Sequence, residues 1–333
     1  MSFKPFGVLN AFISTKNEAF QNLTADSINK CLESLPFKRV SGNVRHYSGW
    51  VPPHFDMQVL GAVSEGNILM ALKTEEKKIN TSELKERLDA EIAKFKKENN
   101  VEKVPKDEKS QLKTKLENEL LKTAQSKFST TLGWLCIDEK RLILNTGNMK
   151  QAERFIDLLE RTIQLTDNEF KGFEFSPLQV ATDIPLKMTA WVEDTNTMPD
   201  QLELMSECVI REPQRDGRKQ GKISYSAQTL EGDRNLEIYL GEKNYSVVNL
   251  ALSYSNEDEE VNARMSIDES FMIKKFKLGS CFKEILKGNE YDTELQQFDT
   301  EFNAFTKYTN TVLNGVIECF GGLAKNEEIS SQG

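Results

Sequence analysis

NTSELKERLDAEIAKFKKENNVEKVPKDEKSQLKTKLENELLKTA, residues 80–124, is the stretch from which the rest of the chain is best read. Leu84, Leu88, Ile92 and Phe95 recur at spacings of four, four and three, which makes one apolar stripe on an α-helix. Asn80 stands where an N-cap belongs, and Glu83 follows three residues later to reach back to it. Asn99, Asn100 and Pro105 break the pattern. Asp107 and Glu108 then suit a second helix N-terminus, with Leu112, Leu116, Leu120 and Ala124 as its stripe. The spacing predicts a helical hairpin over 80–127 with a narrow buried seam.

Charge singles out the same region. Between Lys73 and Lys127 there are fifteen Lys/Arg against twelve Asp/Glu, a balance of +3 in a chain of net charge −9, which leaves −12 for everything else. An acidic protein repels a polyanion except where its basic residues gather on one surface. Lys94, Lys96, Lys97, Lys103, Lys106, Lys109, Lys113, Lys115 and Lys122 fall on or near the outer faces of the hairpin. Two readings stay open from these residues: a solvated helix pair steadied by Glu/Lys neighbours, or a surface for phosphates.

Outward from the hairpin the chain reads as α+β, antiparallel sheets with flanking helices. Residues 1–165 form an N-terminal α+β region: a strand at Phe6–Ile13, a helix capped by Thr24, a strand hairpin at Met57–Val63 and Asn67–Lys73, a strand pair at Thr130–Ile137 and Arg141–Asn145, and a helix capped by Asn148. Met149, Ala152, Phe155, Ile156 and Leu159 are its expected inward face. A connecting segment, 166–205, holds a short apolar helix around Met188–Val192. Residues 206–278 are strand-rich, 279–324 supply C-terminal helices, and 325–333 read as a tail.

Composition excludes several classes. With 38% hydrophobic and 29% charged residues the chain has no run of about 20 apolar residues for a membrane span. Met1–Phe6 lacks an export pattern, so a cytoplasmic location is expected. The five cysteines, Cys31, Cys136, Cys208, Cys281 and Cys319, are odd in number and far apart, which fits reduced thiols and neither a disulfide framework nor a zinc site. His46 and His54 are the only histidines, and no nucleophile–base pattern or phosphate-cradling glycine loop is visible. One arrangement could carry chemistry: Asp56 with Glu76 and Lys78, as in nucleases that hold Mg²⁺ between an Asp and the Glu of Glu-x-Lys. The simpler reading of Glu75–Lys78 is a charged connection from strand to helix.

Several stretches together resemble the RdgC family of recombination-associated proteins. They are Ser48-Gly-Trp-Val-Pro-Pro53, Glu75-Glu-Lys77 before the charged hairpin, Lys127-Phe-Ser129 entering a strand that ends in Trp134-Leu-Cys-Ile-Asp138, Ala152-Glu153 in a helix running to Leu159, and Phe298-Asp299 through Gly321-Gly322. The resemblance implies an arc-shaped α+β subunit, two of which close as a ring dimer around duplex DNA, bind it without sequence preference and limit the access of a RecA-type recombinase. It implies a nucleoid-associated protein with no cofactor, metal or catalytic residue, and an exonuclease using Asp56, Glu76 and Lys78 is the alternative. Lys77, Lys127 and Lys150 match basic positions of the family, and Lys73, Lys78 and Arg154 neighbour them, so these six are the expected phosphate contacts. Gln214 and Arg215 occupy the ring-closure loop where the family has a Lys-Gln pair, and Gln125 replaces a family aromatic. Phe128 is expected as a core aromatic at the strand entrance. The last helix, 295–320, carries Phe298, Phe302, Phe305, Val312, Leu313, Val316 and Ile317, more apolar residues than one surface-facing helix needs, which also points to a homodimer.

Overall fold

The structure is a computed structural model that describes residues 3–14, 24–39, 42–166, 174–214, 218–258, 260–288 and 291–324. The N-terminal half contributes β1 (Val8–Ser14), α1 (Ala25–Leu32), β2 (His46–Val51), β3 (Gly61–Ser64), β4 (Asn67–Lys77), α2 (Thr81–Glu98), α3 (Lys106–Thr123), β5 (Ser126–Cys136), β6 (Arg141–Leu144) and α4 (Met149–Thr166). Next come β7 (Phe175–Pro177), α5 (Ile184–Glu193), β8 (Leu202–Arg211), β9 (Lys222–Ser226), α6 (Arg234–Glu237), β10 (Ser246–Asn256), β11 (Val261–Asp268) and β12 (Ile273–Leu278). Helices α7 (Ser280–Gly288) and α8 (Glu294–Cys319) close the chain. The α+β class expected from the sequence is what the chain adopts.

All ladders are antiparallel and join into one sheet of order β2-β4-β5-β6-β1-β12-β11-β10-β8-β9, with β3 on β4 and β7 on β1. Strand β1 is the joint. Asn10–Ile13 pair with β6 along one edge, while on the other edge Val8 and Leu9 pair with β12 and Phe12–Ser14 pair with β7. The first strand of the chain thereby holds its two halves together.

Strand alternation sends side chains of the N-terminal sheet into two cores. Ile68, Met70 and Leu72 of β4, Leu135 of β5 and Leu142 and Leu144 of β6 pack with α1 and α4 around Phe155. Leu69, Trp134 and Ile143 point the other way, into a larger core that α8 shares with β8, β10, β11 and β12. Both buried indoles here are satisfied: Trp50 donates to the Thr162 hydroxyl at 2.9 Å and Trp134 to the Asn67 side-chain oxygen at 2.7 Å.

Several expectations need correcting. All seven apolar residues named on α8 are buried within the subunit, against the aromatics Phe3 and Phe6 and against the C-terminal sheet, so their number argues for a central helix and not for a dimer contact. Met149 is 43% exposed in the first turn of α4, its sulfur accepting from the Asn10 side chain of β1 at 3.8 Å. His46–Val51 is a strand, and β4 and β5 run past their expected limits. There Lys73–Lys77 stays extended because both edges are occupied: Glu76 pairs with His46 and Lys127, and Lys77 with Ser126. Ladder pairing overrides a composition poor in strand formers. Cys31, Cys136 and Cys208 are buried free thiols, and Cys319 is a partly buried one. No helix among the described residues is long and apolar enough to cross a membrane.

Candidate nucleic-acid interface

The three strands β2, β4 and β5 outrun the core and end in the helical hairpin. Asn80 caps α2 as expected, its side-chain oxygen accepting from the N–H groups of Ser82 and Glu83 at 3.0 and 3.4 Å. Glu83 does not reach back to the cap, because its carboxylate accepts from Arg87 at 2.6 Å. The expected buried seam forms only in part: Leu116, Leu120 and Leu121 of α3 are buried, whereas Leu84, Leu88, Ile92 and Phe95 of α2 are only half-buried. All nine hairpin lysines named above are exposed, and among the described residues only Lys113 has an ion-pair partner, Glu117 at 3.8 Å.

The six expected phosphate contacts separate by environment. Lys77 is 8% exposed, and its ammonium donates to the carbonyls of Gly42 at 2.9 Å and Leu121 at 3.1 Å. It ties the base of the hairpin to the sheet, so a phosphate would have to displace those bonds. Beside it Glu75, 3% exposed, accepts from the Ser126 hydroxyl. Lys78, Lys127 and Lys150 are exposed, while Lys73 and Arg154 are half-buried.

The sheet then divides the remaining five. A Cβ on Gly133 would lie 2.3 Å from the Phe155 ring of α4, so Gly133, and with it by alternation Thr131, Ser129 and Lys127, faces α4. Lys127, Glu76 and His46 follow one another across that face in register. Arg154 lines a cleft there with His46, Ser48, Asp157 and Arg161. Lys150, Arg154 and Arg161 lie at i, i+4 and i+11 of α4, a helical spacing from which Arg161 could have been read in the sequence. Trp134 faces α8, and Phe128, six residues earlier, opens on that side.

Phe128 is 43% exposed, so it is not the core aromatic expected. The Lys73 ammonium lies 5.3 Å from its ring centre and 5.1 Å from that of Phe37, and the Arg39 guanidinium lies 6.0 Å from the Phe128 ring. Gly49 makes this cluster: its Cβ would fall 2.5 Å from the Phe37 Cα, so only glycine lets the Pro36–Phe37 backbone cross β2 beside Lys73. Phe37 N–H donates to the Trp50 carbonyl at 2.9 Å and fixes the crossing. Arg39 and Phe37 carried no periodic signal, because a chain crossing has none.

The remaining expected residues lie apart. Gln214 is exposed just after β8, in a loop closed by Glu212 N–H donating to the Gly221 carbonyl at 2.9 Å; Arg215 lies outside the described residues. Asp56 and Glu76 do not converge. Asp56 shares a groove with Val63 of β3 and with Leu295 and Asp299 of α8, and Val63 pairs with Ile68, eight residues before Glu76 on β4, a run of about 26 Å. Burial raises the Asp299 carboxyl in that groove. Asp56 instead approaches His54 and Glu294, whose ligand atoms lie within 4.8 Å of its own, and Nδ1 of His54 already accepts the Asp56 N–H at 3.3 Å. What the distal sheet and hairpin offer is positive charge with exposed aromatic surface, the means of holding phosphates without reading bases.

A family profile described as "Putative exonuclease, RdgC" matches residues 9–323. The chain is 28% identical over 304 residues to the recombination-associated protein RdgC of Proteus mirabilis, a match covering 91% of this chain and 94% of that protein. The protein of the same name from Yersinia enterocolitica is 27% identical over 308 residues, 92% of this chain and 95% of its own. That of Yersinia pestis is 26% identical over 308 residues, with the same coverage. Matched along nearly its whole length, from β1 to the end of α8, the chain belongs to the RdgC family.

Proposed function

We propose that the protein binds duplex DNA without reading its sequence, through the distal N-terminal sheet and the α2–α3 arm. As a dimer closed around the duplex, it acts in homologous recombination by limiting the access of a RecA-type recombinase. The observation that carries this reading is the arm itself, a projection whose lysines are exposed and, Lys113 aside, without ion-pair partners among the described residues. Such charges gain affinity by releasing counterions from phosphate, so binding falls steeply with salt. Lys127, Lys150 and Arg154, with Arg161 added, are the contacts on the α4 face of the sheet, Lys73 and Arg39 those on its opposite face, with Lys78 at the strand end and Lys77 left to its structural bonds. Gln214 and Arg215 belong to the loop that closes the ring. The recombination-associated names of the relatives agree with the process. Self-association draws support from Phe55, Val59, Val63 and Leu295, which are 69, 46, 39 and 41% exposed around the start of α8.

The test is fluorescence anisotropy on labelled linear and closed circular duplexes at several salt concentrations, with sedimentation of the free protein. The expected result is a dimer whose affinity drops steeply with salt and whose loading differs between linear and circular DNA. Replacing Lys73, Lys78 and Lys127 together by Glu should abolish binding, whereas Glu76→Gln should leave it unchanged or slightly tighter. A flat salt slope, a many-fold preference for one sequence or a monomer at micromolar concentration overturns the reading. Incubation of end-labelled duplex with Mg²⁺ addresses the exonuclease named in the family description. Mg²⁺-dependent digestion by the parent would replace the binding reading with that one.

A further inference from the structure

The outer face of the C-terminal sheet treats its cations in two ways. Arg211 pairs with Glu269 at 2.6 Å, Lys274 with Asp268 at 2.7 Å and Lys275 with Glu207 at 2.5 Å. Arg264 and Lys277 are different. They are directly opposite each other on β11 and β12, both are exposed, and neither side chain has a hydrogen bond or ion pair among the described residues. Like charges facing each other across a ladder destabilise it, so the fold gains nothing from this pair. A third cation, Lys283 of α7, equally exposed and without such a partner, lines the same groove.

The groove's one carboxylate does not answer these charges. The register across the sheet runs Glu203, Ser253, Arg264, Lys277, so Glu203 lies two strands, about 10 Å, from Arg264. It also accepts the Ser253 hydroxyl at 3.3 Å. Asn262, Ser255 and Ser280 add neutral donors to a lining that also includes apolar residues such as Leu204, Met205 and Leu278. Three exposed cations against one engaged carboxylate, in a half-enclosed groove, leave an excess of positive charge that suits a polyanion.

We infer that Arg264, Lys277 and Lys283 form a second phosphate-binding site, on the C-terminal sheet, that grips the sugar–phosphate backbone of the same duplex held by the N-terminal arm. The inference rests on the duplex-binding reading above and adds a surface to which neither the sequence pattern nor the basic hairpin points. It makes the duplex span both halves of the subunit, which are joined through β1.

The experiment is anisotropy of a labelled random-sequence duplex against the full-length protein from low to moderate salt. It compares the parent with Arg264→Gln/Lys277→Gln/Lys283→Gln and with Arg211→Gln/Lys274→Gln/Lys275→Gln, which removes the same charge from the paired cations. The first variant should lose roughly two to three units of the slope of log affinity against log salt, and at least tenfold in affinity near 0.15 M salt. The second should keep the parent's slope. Thermal unfolding reports folding separately, and Arg264→Gln alone should unfold no lower than the parent because it relieves the opposed charges. The inference is overturned if the parent binds and the first variant keeps its slope, or if both variants lose slope equally. If the parent does not bind duplex DNA at all, the functional reading falls and this one with it.

Discussion

Strands β2, β4 and β5 pass through two environments, and the same ladder serves opposite ends in each. Over Ile68–Leu72 both faces of β4 are covered and every side chain is buried. Over Lys73–Lys77 the pairing continues unbroken, but the residues are Lys, Thr, Glu, Glu and Lys. The proximal half is held by apolar burial, and the distal half by hydrogen-bonded register together with the polar bonds of Thr74, Glu75 and Lys77, which leaves Lys73 and Glu76 the least committed of its side chains. Within the distal half the contrast repeats at one residue type. Lys77 gives its ammonium to two carbonyls, and Lys73, four residues earlier on the same face, leaves its own over two aromatic rings.

The proximal half should be intolerant of added volume, and Gly133→Ala should have the largest effect of all. Its Cβ would meet the Phe155 ring at 2.3 Å and a Leu144 methyl at 2.8 Å, both inside a fully buried core. Overpacking of this kind costs about 3 kcal/mol, to be read as a lowered urea midpoint. A loss within about 0.5 kcal/mol, the range of ordinary surface changes, would mean that the proximal sheet is as accommodating as the distal one.

Lys77→Ala comes second. It leaves the buried Leu121 carbonyl and the more open Gly42 carbonyl without a charged donor, at a cost of about 2 kcal/mol. Limited proteolysis should then cut at the hairpin base sooner than in the parent. Lys73→Ala should change stability by about 1 kcal/mol or less, the scale of a partly exposed cation–π contact, while weakening DNA binding. If Lys73→Ala costs as much stability as Lys77→Ala, the division between a structural and a ligand-facing lysine fails.

That division was not legible in the sequence, and the reason is physical. The hairpin was, since apolar spacing, the Asn80 cap and the Pro105 break are local signals and local interactions produce them. So were the turn at Glu65 and Gly66, whose positive φ values of 41° and 76° fit a tight two-residue connection, and the close of α8 at Gly321 and Gly322, although the strand before that turn spans Gly61–Ser64 and not Met57–Val63. Lys77 reads as one more basic residue because its partners, Gly42 and Leu121, lie 35 and 44 residues away. Strand β2 was hidden because its His-Tyr-Ser-Gly-Trp-Val run has no clean alternation, and Gly49 answers to the Phe37 backbone and not to a strand preference. The opposed cations Arg264 and Lys277 appear only once register is known.

Phe128→Ala should fall third, at about 1–2 kcal/mol, since the ring is 43% exposed and more than half of its surface is buried. Its removal frees Lys73 and Arg39, so duplex affinity should hold or rise slightly. A several-fold loss of affinity at unchanged salt slope would show that the ring itself contacts DNA, which would sharpen the distal half from a charged surface into one that also stacks.

The smallest effect is expected on the arm, at Glu83 and Arg87. Their ion pair at 2.6 Å spans one turn of α2, with side chains 43 and 51% exposed, and pairs of this kind contribute about 0.3–0.5 kcal/mol. Glu83 also sits in the first turn of α2, where a carboxylate adds a few tenths of a kcal/mol against the helix dipole. A double-mutant cycle with Glu83→Ala and Arg87→Ala should therefore return a coupling of about 0.5 kcal/mol or less. Duplex affinity should move in opposite directions for the two single changes, up for Glu83→Ala, which removes a repelled carboxylate, and down for Arg87→Ala. A coupling above about 1 kcal/mol, beyond what exposed pairs reach, would mean that charges on the arm are committed to its fold. The hairpin would then belong with Lys77, as structure, and the free cations of the molecule would have to be sought on the sheets alone.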